Sequence, residues 1–267
     1  MSSYYQLIRQ EDQKDGTQIA YYQPSEHTQG AWNPMEQHMA PATGIICAEL
    51  ERYSPKENMR IGRISLDIYG LIHRSETKIT TRCIRPGKTI ELLESTFEAN
   101  HRVCIVAHTW RMITEDTSAI EGIEDPPIPA PEELPYWKGM SAWEGGYITS
   151  ITRHIKVAKR KPGKGQLWLT NPLDMVEGRP TSAFVKLMGM VDTMNGVVVR
   201  QKGKFTHMFP NLDLQIQLYR LPTGKWLGLD VQQQYGKDGI GLSSAVLHDV
   251  NGPFGHAGQI LTVRKVK

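Results

Sequence analysis

An α+β fold, in which two copies of a long antiparallel sheet each wrap one central helix, is predicted by three observations. First, two alike stretches stand one in each half of the chain: Arg63-Ile64-Ser65-Leu66-Asp67-Ile68-Tyr69-Gly70-Leu71-Ile72 and Phe209-Pro210-Asn211-Leu212-Asp213-Leu214-Gln215-Ile216-Gln217-Leu218. Each follows a helix-like apolar segment and sets Leu-Asp at the head of an alternating strand. Second, further alternating runs follow in both halves and end in an asparagine turn, Asn100-His101 in one and Asn251-Gly252 in the other. Third, 267 residues hold two copies of roughly 115 to 130 residues, near the usual domain size. Leu66-Asp67 and Leu212-Asp213 lie 146 residues apart and Asn100 and Asn251 lie 151 apart, so a duplication requires only a few residues gained in the turns of the second copy. The predicted organisation is a first domain over residues 1–115, an acidic proline-rich linker over 116–135 and a second domain over 136–267.

Taken in order, Tyr4 to Ile8 and Gln18 to Tyr22 are strand-like and flank the polar turn Asp15-Gly16-Thr17. After the loop His27 to Pro34, residues 41–51 carry apolar side chains at helical spacing, and Pro41 suits a first helical turn. Ile61 to Ile72, Glu76 to Arg85, Lys88 to Ala99 and Val103 to Met112 then read as strands, with Pro86-Gly87 and Asn100-His101 as turns. Glu124-Asp125-Pro126-Pro127-Ile128-Pro129-Ala130-Pro131 breaks the pattern. Proline cannot join a central ladder, so this stretch is a linker or a strap across the surface. In the second half Tyr147 to Lys159 reads as a long strand, a basic turn Lys159 to Gly165 follows, and Gln166 to Thr170 returns. Thr181 to Met194 has Phe184, Leu187, Met188 and Val191 at helical spacing, Thr181 or Ser182 as N-cap, and Asn195-Gly196 as a stop. Four more strands, Asn211 to Tyr219, Trp226 to Tyr235, Gly241 to Asp249 and His256 to Lys265, complete the chain. A single apolar helix covered by a curved antiparallel sheet is the hotdog arrangement, here expected twice.

Composition narrows the function. With 39% apolar and 22% charged residues the chain is an ordinary globular one, and a formal net charge of +3 gives no argument for nucleic acid. Cys47, Cys83 and Cys104 are odd in number and far apart, which suggests neither a disulfide framework nor a zinc site and fits a reduced, cytoplasmic protein. The N-terminus lacks a basic stretch followed by an apolar core, and no apolar run approaches the roughly 20 residues that span a bilayer. The nine histidines show no HExxH and no metal-spaced pair, and Ser243-Ser244 lies in no G-x-S-x-G elbow. No cofactor is expected.

Several stretches carry a family likeness. His27-Thr28-Gln29-Gly30-Ala31-Trp32, Gln37-His38-Met39-Ala40-Pro41-Ala42-Thr43 and Arg60 to Asp67 resemble the first hotdog of TesB-like acyl-CoA thioesterases. Val191-Asp192-Thr193-Met194-Asn195-Gly196 looks like the end of that family's second helix. Asp213-Leu214-Gln215-Ile216-Gln217-Leu218-Tyr219-Arg220 resembles its catalytic strand. Trp226 to Asp230, Leu247-His248-Asp249, Gly252-Pro253 and Gln259 to Arg264 resemble its C-terminal strands. The resemblance implies hydrolysis of an acyl-CoA or related thioester without a covalent nucleophile, by water held between an Asp, a Gln and a Thr or Ser. It also implies a homodimer, since hotdog sheets pair edge to edge. Carried over by position, the Asp falls on Asp213, the Gln on Gln259 and the hydroxyl position on Gln234, where this chain departs from the family by carrying an amide.

The chemistry expected is then a general base at Asp213, a water-orienting amide at Gln259 and a second amide at Gln234. Backbone N–H groups at Ser182 and Ala183, at the start of the second helix, would polarise the carbonyl. His38, beside the first helix, joins these as a substrate-binding residue, although a capping role is the plainer reading. The plain reading of Asp213 is a turn carboxylate after Pro210-Asn211. Asp67 and His108 stand at the matching positions of the first half and hint at a dehydratase-type pair. A non-catalytic acyl-binding protein of the same fold is the alternative that Gln234 leaves open.

Overall fold

The computed structural model describes residues 2–201 and 205–266. In the first half, β1 (Ser3–Asp12) and β2 (Gln18–Pro24) precede α1 (Met39–Arg52), and β3 (Met59–Ile68), β4 (Thr77–Arg85), β5 (Ile90–Ala99) and β6 (Arg102–Ile113) follow it. In the second half, α2 (Gly146–Thr152), β7 (Ile155–Lys161), β8 (Lys164–Leu169) and β9 (Asp174–Val176) precede α3 (Ala183–Met188) and α4 (Met194–Val197). After these come β10 (His207–Met208), β11 (Asp213–Leu218), β12 (Leu227–Tyr235), β13 (Ile240–Asp249), β14 (Gly252–Thr262) and β15 (Arg264–Lys265). Thirteen strands form one sheet in the order β7-β8-β12-β13-β14-β11-β3-β6-β5-β4-β2-β1-β9. This is a double hotdog of the α+β class.

The two halves join where β3 and β11 pair antiparallel, with Ser65 opposite Gln215. The duplication is tighter than the alike stretches suggest. β4 and β12 begin at Thr77 and Leu227, β5 and β13 at Ile90 and Ile240, β6 and β14 at Arg102 and Gly252, so the copies are offset by a constant 150 residues. Under that offset Ser65 and Gln215 are equivalent and face each other, which puts the pseudo-twofold axis between them. The Leu-Asp match at 146 is therefore four residues out of register: Asp67 lies opposite Asp213 without being its equivalent.

α1 buries eleven of its fourteen residues, so it is a core helix covered all round and not a surface one. Its partner is α3, and the two approach so closely at Gly44 and Gly189 that a Cβ added to Gly44 would stand 3.0 Å from the Gly189 Cα. A side chain there would force the helices apart, which is why glycine occupies both positions.

Two expected elements differ. Tyr147 to Lys159 is not one strand: Tyr147, Ile148 and Ile151 share a buried face at helical spacing and form α2, and the strand starts only at Ile155. The single second helix is broken at Gly189 into α3, a 3-10 turn over Val191–Thr193, and α4. The proline-rich stretch behaves as a strap. Ile128 is buried, the Pro129 carbonyl accepts from Trp168 Nε1 at 2.7 Å, and Asp125 meets His256 at 2.7 Å, pinning it across the second half.

Candidate active site

The site grows from the break in the second helix. At the Val191–Thr193 turn Asp192 points into the interior, 5% exposed. Its Oδ1 accepts from Gln259 Nε2 at 2.5 Å and from Asn211 Nδ2 at 3.0 Å. Its Oδ2 lies 3.3 Å from His38 Nδ1. Four segments thus converge on one carboxylate: the helix break, β14, the residues leading into β11, and the entry to α1.

Each partner is placed by its own local chemistry. Gln259 lies on β14, where Ala257 and Leu261 also face inward, so strand alternation turns its side chain to the core. His38 is the N-cap of α1, and its Nδ1 accepts from the Ala40 N–H at 3.1 Å, satisfying one orphan donor of the first turn. The His38 ring packs on Tyr147 of α2 at 4.3 Å, and the Tyr147 hydroxyl hydrogen-bonds Thr193 at 2.6 Å, tying α2 to the turn that carries Asp192. Behind Gln259, Gln233 of β12 donates to both oxygens of Asn195, 3.0 Å each, and lies 3.4 Å from Ser243 Oγ. The Oε1 atoms of Gln259 and Gln233 are buried acceptors without a partner among the described residues.

The electrostatics follow from burial. Loss of solvent pushes the Asp192 carboxyl up to about 7, against the opposing pull of the Asn211 and Gln259 amides. Burial also pushes His38 down to about 3, so the ring is neutral near pH 7. With Nδ1 accepting from Ala40, the neutral ring carries its hydrogen on Nε2. The 3.3 Å contact is consequently not an ion pair. Two acceptor atoms at that distance call for a shared proton, which agrees with a carboxyl half-protonated near neutrality.

Two cavities meet at these residues. An open cleft of about 380 Å³ is lined by Glu36, Ile68, Leu71, Met208, Leu212 and Arg264 among others, and a chamber of about 50 Å³ by Met140, Trp143, Ile148, Gly196 and Phe209. Trp32, His38, Asp192 and Asn211 belong to both.

Of the residues singled out in the sequence, the structure brings together Gln259 and His38, and it adds Asp192. It does not bring Asp213 to Gln259. Leu214, Ile216 and Leu218 take the inward positions of β11, so Asp213 faces the opposite side of the sheet. There its Oδ1 accepts from the Ile260 N–H at 2.7 Å and its Oδ2 from Gln215 at 3.3 Å. Gln234 is exposed for the same reason: Leu229, Val231 and Gln233 are the inward residues of β12. Ser182 caps α3, accepting from the Val185 N–H at 3.1 Å and donating to Glu51, and with Ala183 it lies at the other end of the α1–α3 pair. The cavity at that end, about 310 Å³, shares no lining residue with the two at Asp192. Asp67 is exposed, and His108 lies 3.4 Å from Glu94 rather than near Asp67. Asp192 is legible in the sequence as the one acid in a methionine-rich, mostly apolar helical stretch, Met188 to Met194, a position where a charge calls for a partner.

Residues 124–263 match the family model described as the acyl-CoA thioesterase C-terminal domain. The chain belongs to the acyl-CoA thioesterase family. Solved structures agree on the fold of this thioesterase-family chain. A putative thioesterase from Novosphingobium aromaticivorans matches with a TM-score of 0.73 at 16% identity, covering 96% of this chain and 97% of its own. A hot dog fold protein of unknown function from Alicyclobacillus acidocaldarius matches with a TM-score of 0.75 at 9% identity, covering 97% of each. The acyl-CoA thioesterase II TesB2 from Mycobacterium marinum matches with a TM-score of 0.66 at 12% identity, covering 97% and 96%. Comparison with curated proteins found no match.

Proposed function

We propose that this chain hydrolyses an acyl-CoA or related thioester by direct attack of water, with Asp192 as general base. The observation that supports this reading is a buried carboxyl held near pH 7, between an amide and a neutral histidine, where an open cleft meets a small chamber. A base with a pKa near the working pH combines a useful ionised fraction with a useful affinity for the proton. Asp192 takes a proton from water as its oxygen bonds to the thioester carbonyl carbon. Gln259 Nε2 holds the carboxylate in place, and the unpaired Gln259 Oε1 accepts the water's other hydrogen. His38 Nε2–H donates to the carbonyl oxygen as it gains negative charge. Collapse of the tetrahedral adduct breaks the C–S bond, and the proton on Asp192 goes to the departing sulfur, leaving a carboxylic acid and a free thiol. Arg264, on the rim of the cleft, supplies a cation for a phosphorylated carrier.

Release of free thiol from CoA esters, read for the wild type and two variants, tests the assignment. Asp192→Asn should lower the rate by about 10²–10⁴-fold, while Asp213→Asn stays within about twofold. The opposite pattern would return the role to Asp213.

A second reading has one observation in its favour. A protonated Asp192 beside a neutral His38 at 3.3 Å is also an acid–base pair suited to removing water from a hydroxyacyl thioester or adding it to an enoyl one. Hydration of an enoyl-CoA without thiol release would select it. The expectations of a reduced, cytoplasmic protein and of a homodimer belong to the same proposal; three unpaired cysteines agree with the reduced state, and sedimentation tests the dimer.

A further inference from the structure

The chamber beside Asp192 sets a limit on the acyl group, an inference that rests on the hydrolytic reading above. The open cleft, about 380 Å³, is an apolar trough of Ile68, Leu71, Met208 and Leu212 with Glu36 and Arg264 beside it, room and charge for a carrier arm that is part alkyl chain and part phosphate. The chamber, about 50 Å³, is walled by Met140, Trp143, Ile148 and Phe209 and suits the apolar end. A substrate whose carbonyl sits at the junction, where Asp192 and His38 belong to both spaces, sends its sulfur side into the cleft and its acyl tail into the chamber.

We infer that this site selects acyl groups of about two to four carbons, with Met140 and Gly196 setting the length. A cavity of about 150 Å³ holds benzene, with six carbons; one of about 50 Å³ then holds about two carbons beyond the carbonyl. The walls do not give way easily. Met140 and Phe209 are 2% and 1% exposed, and Phe209 is braced edge-on by Trp32 at 5.4 Å and by Trp143 at 6.0 Å. Met188, Met190 and Met194 of the second helical segment are packed in the core at 1% exposure or less and line neither space. Gly196 is a wall residue that can be enlarged without disturbing its neighbours. A Cβ added there meets only Met140 Cε, at 3.6 Å, an ordinary contact.

Two measurements are made on the full-length protein. One is kcat/KM with acetyl-, butyryl-, octanoyl- and palmitoyl-CoA. The other is calorimetric affinity for the non-hydrolysable S-ethyl, S-butyl and S-octyl thioethers of CoA. The expected result is a preference for butyryl and S-butyl over octanoyl and S-octyl of about tenfold or more, a discrimination within reach of a few methylenes in an apolar pocket. Gly196→Ala should lower the butyryl-to-acetyl ratio about tenfold, and Met140→Ala should raise the octanoyl-to-butyryl ratio by a similar factor. Should Met140→Ala not fold, Gly196→Ala carries the test alone. Equal use of octanoyl and butyryl esters by the wild type, an unchanged ratio in Gly196→Ala, or no thioether binding at any length overturns the inference. Length-ranked thioether binding without turnover upholds the chamber and removes hydrolysis; turnover without length discrimination does the reverse.

Discussion

At the scale of single residues, the site is a problem of protons in a dry place. Asp192 binds its proton more tightly in the folded chain, with a pKa of about 7 against an ordinary 3.8. Its contribution to stability is therefore fully present below about pH 4 and is lost as pH rises through 7, where the ionised form costs on the order of 3–4 kcal/mol. His38 has the opposite sign. Its pKa is depressed to about 3, so its contribution is present above about pH 6.5 and is lost as pH falls toward 3. Asparagine at 192 satisfies every partner: its oxygen accepts from Gln259 and Asn211, and its NH₂ donates to His38 Nδ1. Asp192→Asn is thus expected to be more stable than wild type at pH 8 by about 2–4 kcal/mol in urea unfolding, with the gap closing toward pH 4, while turnover is lost. A variant less stable at pH 8 would show that the carboxylate is ionised without penalty. In the wild type the same carboxyl sets the rate profile. kcat/KM should rise with pH through an apparent pKa of about 7, and a profile flat from pH 5 to 9 would exclude Asp192 as the base.

At the scale of elements, strand parity decides which side chains reach chemistry. Most strands, the first helix and the strap are readable from alternation, helical spacing and proline content; Gln259 comes from the family likeness alone. Positional likeness points to Asp213 and Gln234, against a parity visible in the same segments: Leu214-x-Ile216-x-Leu218 and Leu229-x-Val231-x-Gln233 mark the inward faces. A shift of one residue exchanges Gln233 for Gln234 and moves the side chain from the core to solvent. What the sequence could not display is the break at Gly189 that turns Asp192 inward, because a 3-10 turn between two short helices keeps a helical hydrophobic pattern. Nor could it display the convergence of Asp192 with His38, 154 positions apart in the chain. Parity makes a direct prediction. Gln233→Ala strands both Asn195 acceptors and opens a cavity, so it should cost about 2–4 kcal/mol, whereas Gln234→Ala on the exposed face should stay within about 0.5 kcal/mol. Equal costs in thermal or urea unfolding would mean that β12 is turned over.

At the scale of the molecule, a pseudo-twofold through Ser65 and Gln215 gives the α1–α3 pair two ends, and only one is furnished for chemistry. At the first end the cap of α1 is a neutral imidazole facing an inward carboxyl and an amide. At the second the cap of α3 is Ser182, whose hydroxyl is engaged by Glu51. The neighbouring carboxylate there, Glu49, accepts from the Tyr22 hydroxyl at 2.5 Å and from Arg52 Nη2 at 2.7 Å, so its oxygens are already taken by a cation and a phenol. The counterpart of Gln259, 150 residues earlier, is Thr109, too short to span the distance an amide covers and without a side-chain hydrogen bond among the described residues. Duplication has thus kept the scaffold twice and the acid–amide pair once. On the hydrolytic proposal, one thioester site per chain is expected. Titration with a non-hydrolysable CoA thioether should saturate at one equivalent per chain, and Asp192→Asn should leave no residual turnover at the second end. A stoichiometry of two, or a turnover in Asp192→Asn that disappears on Glu51→Gln, would show that the second end is active as well.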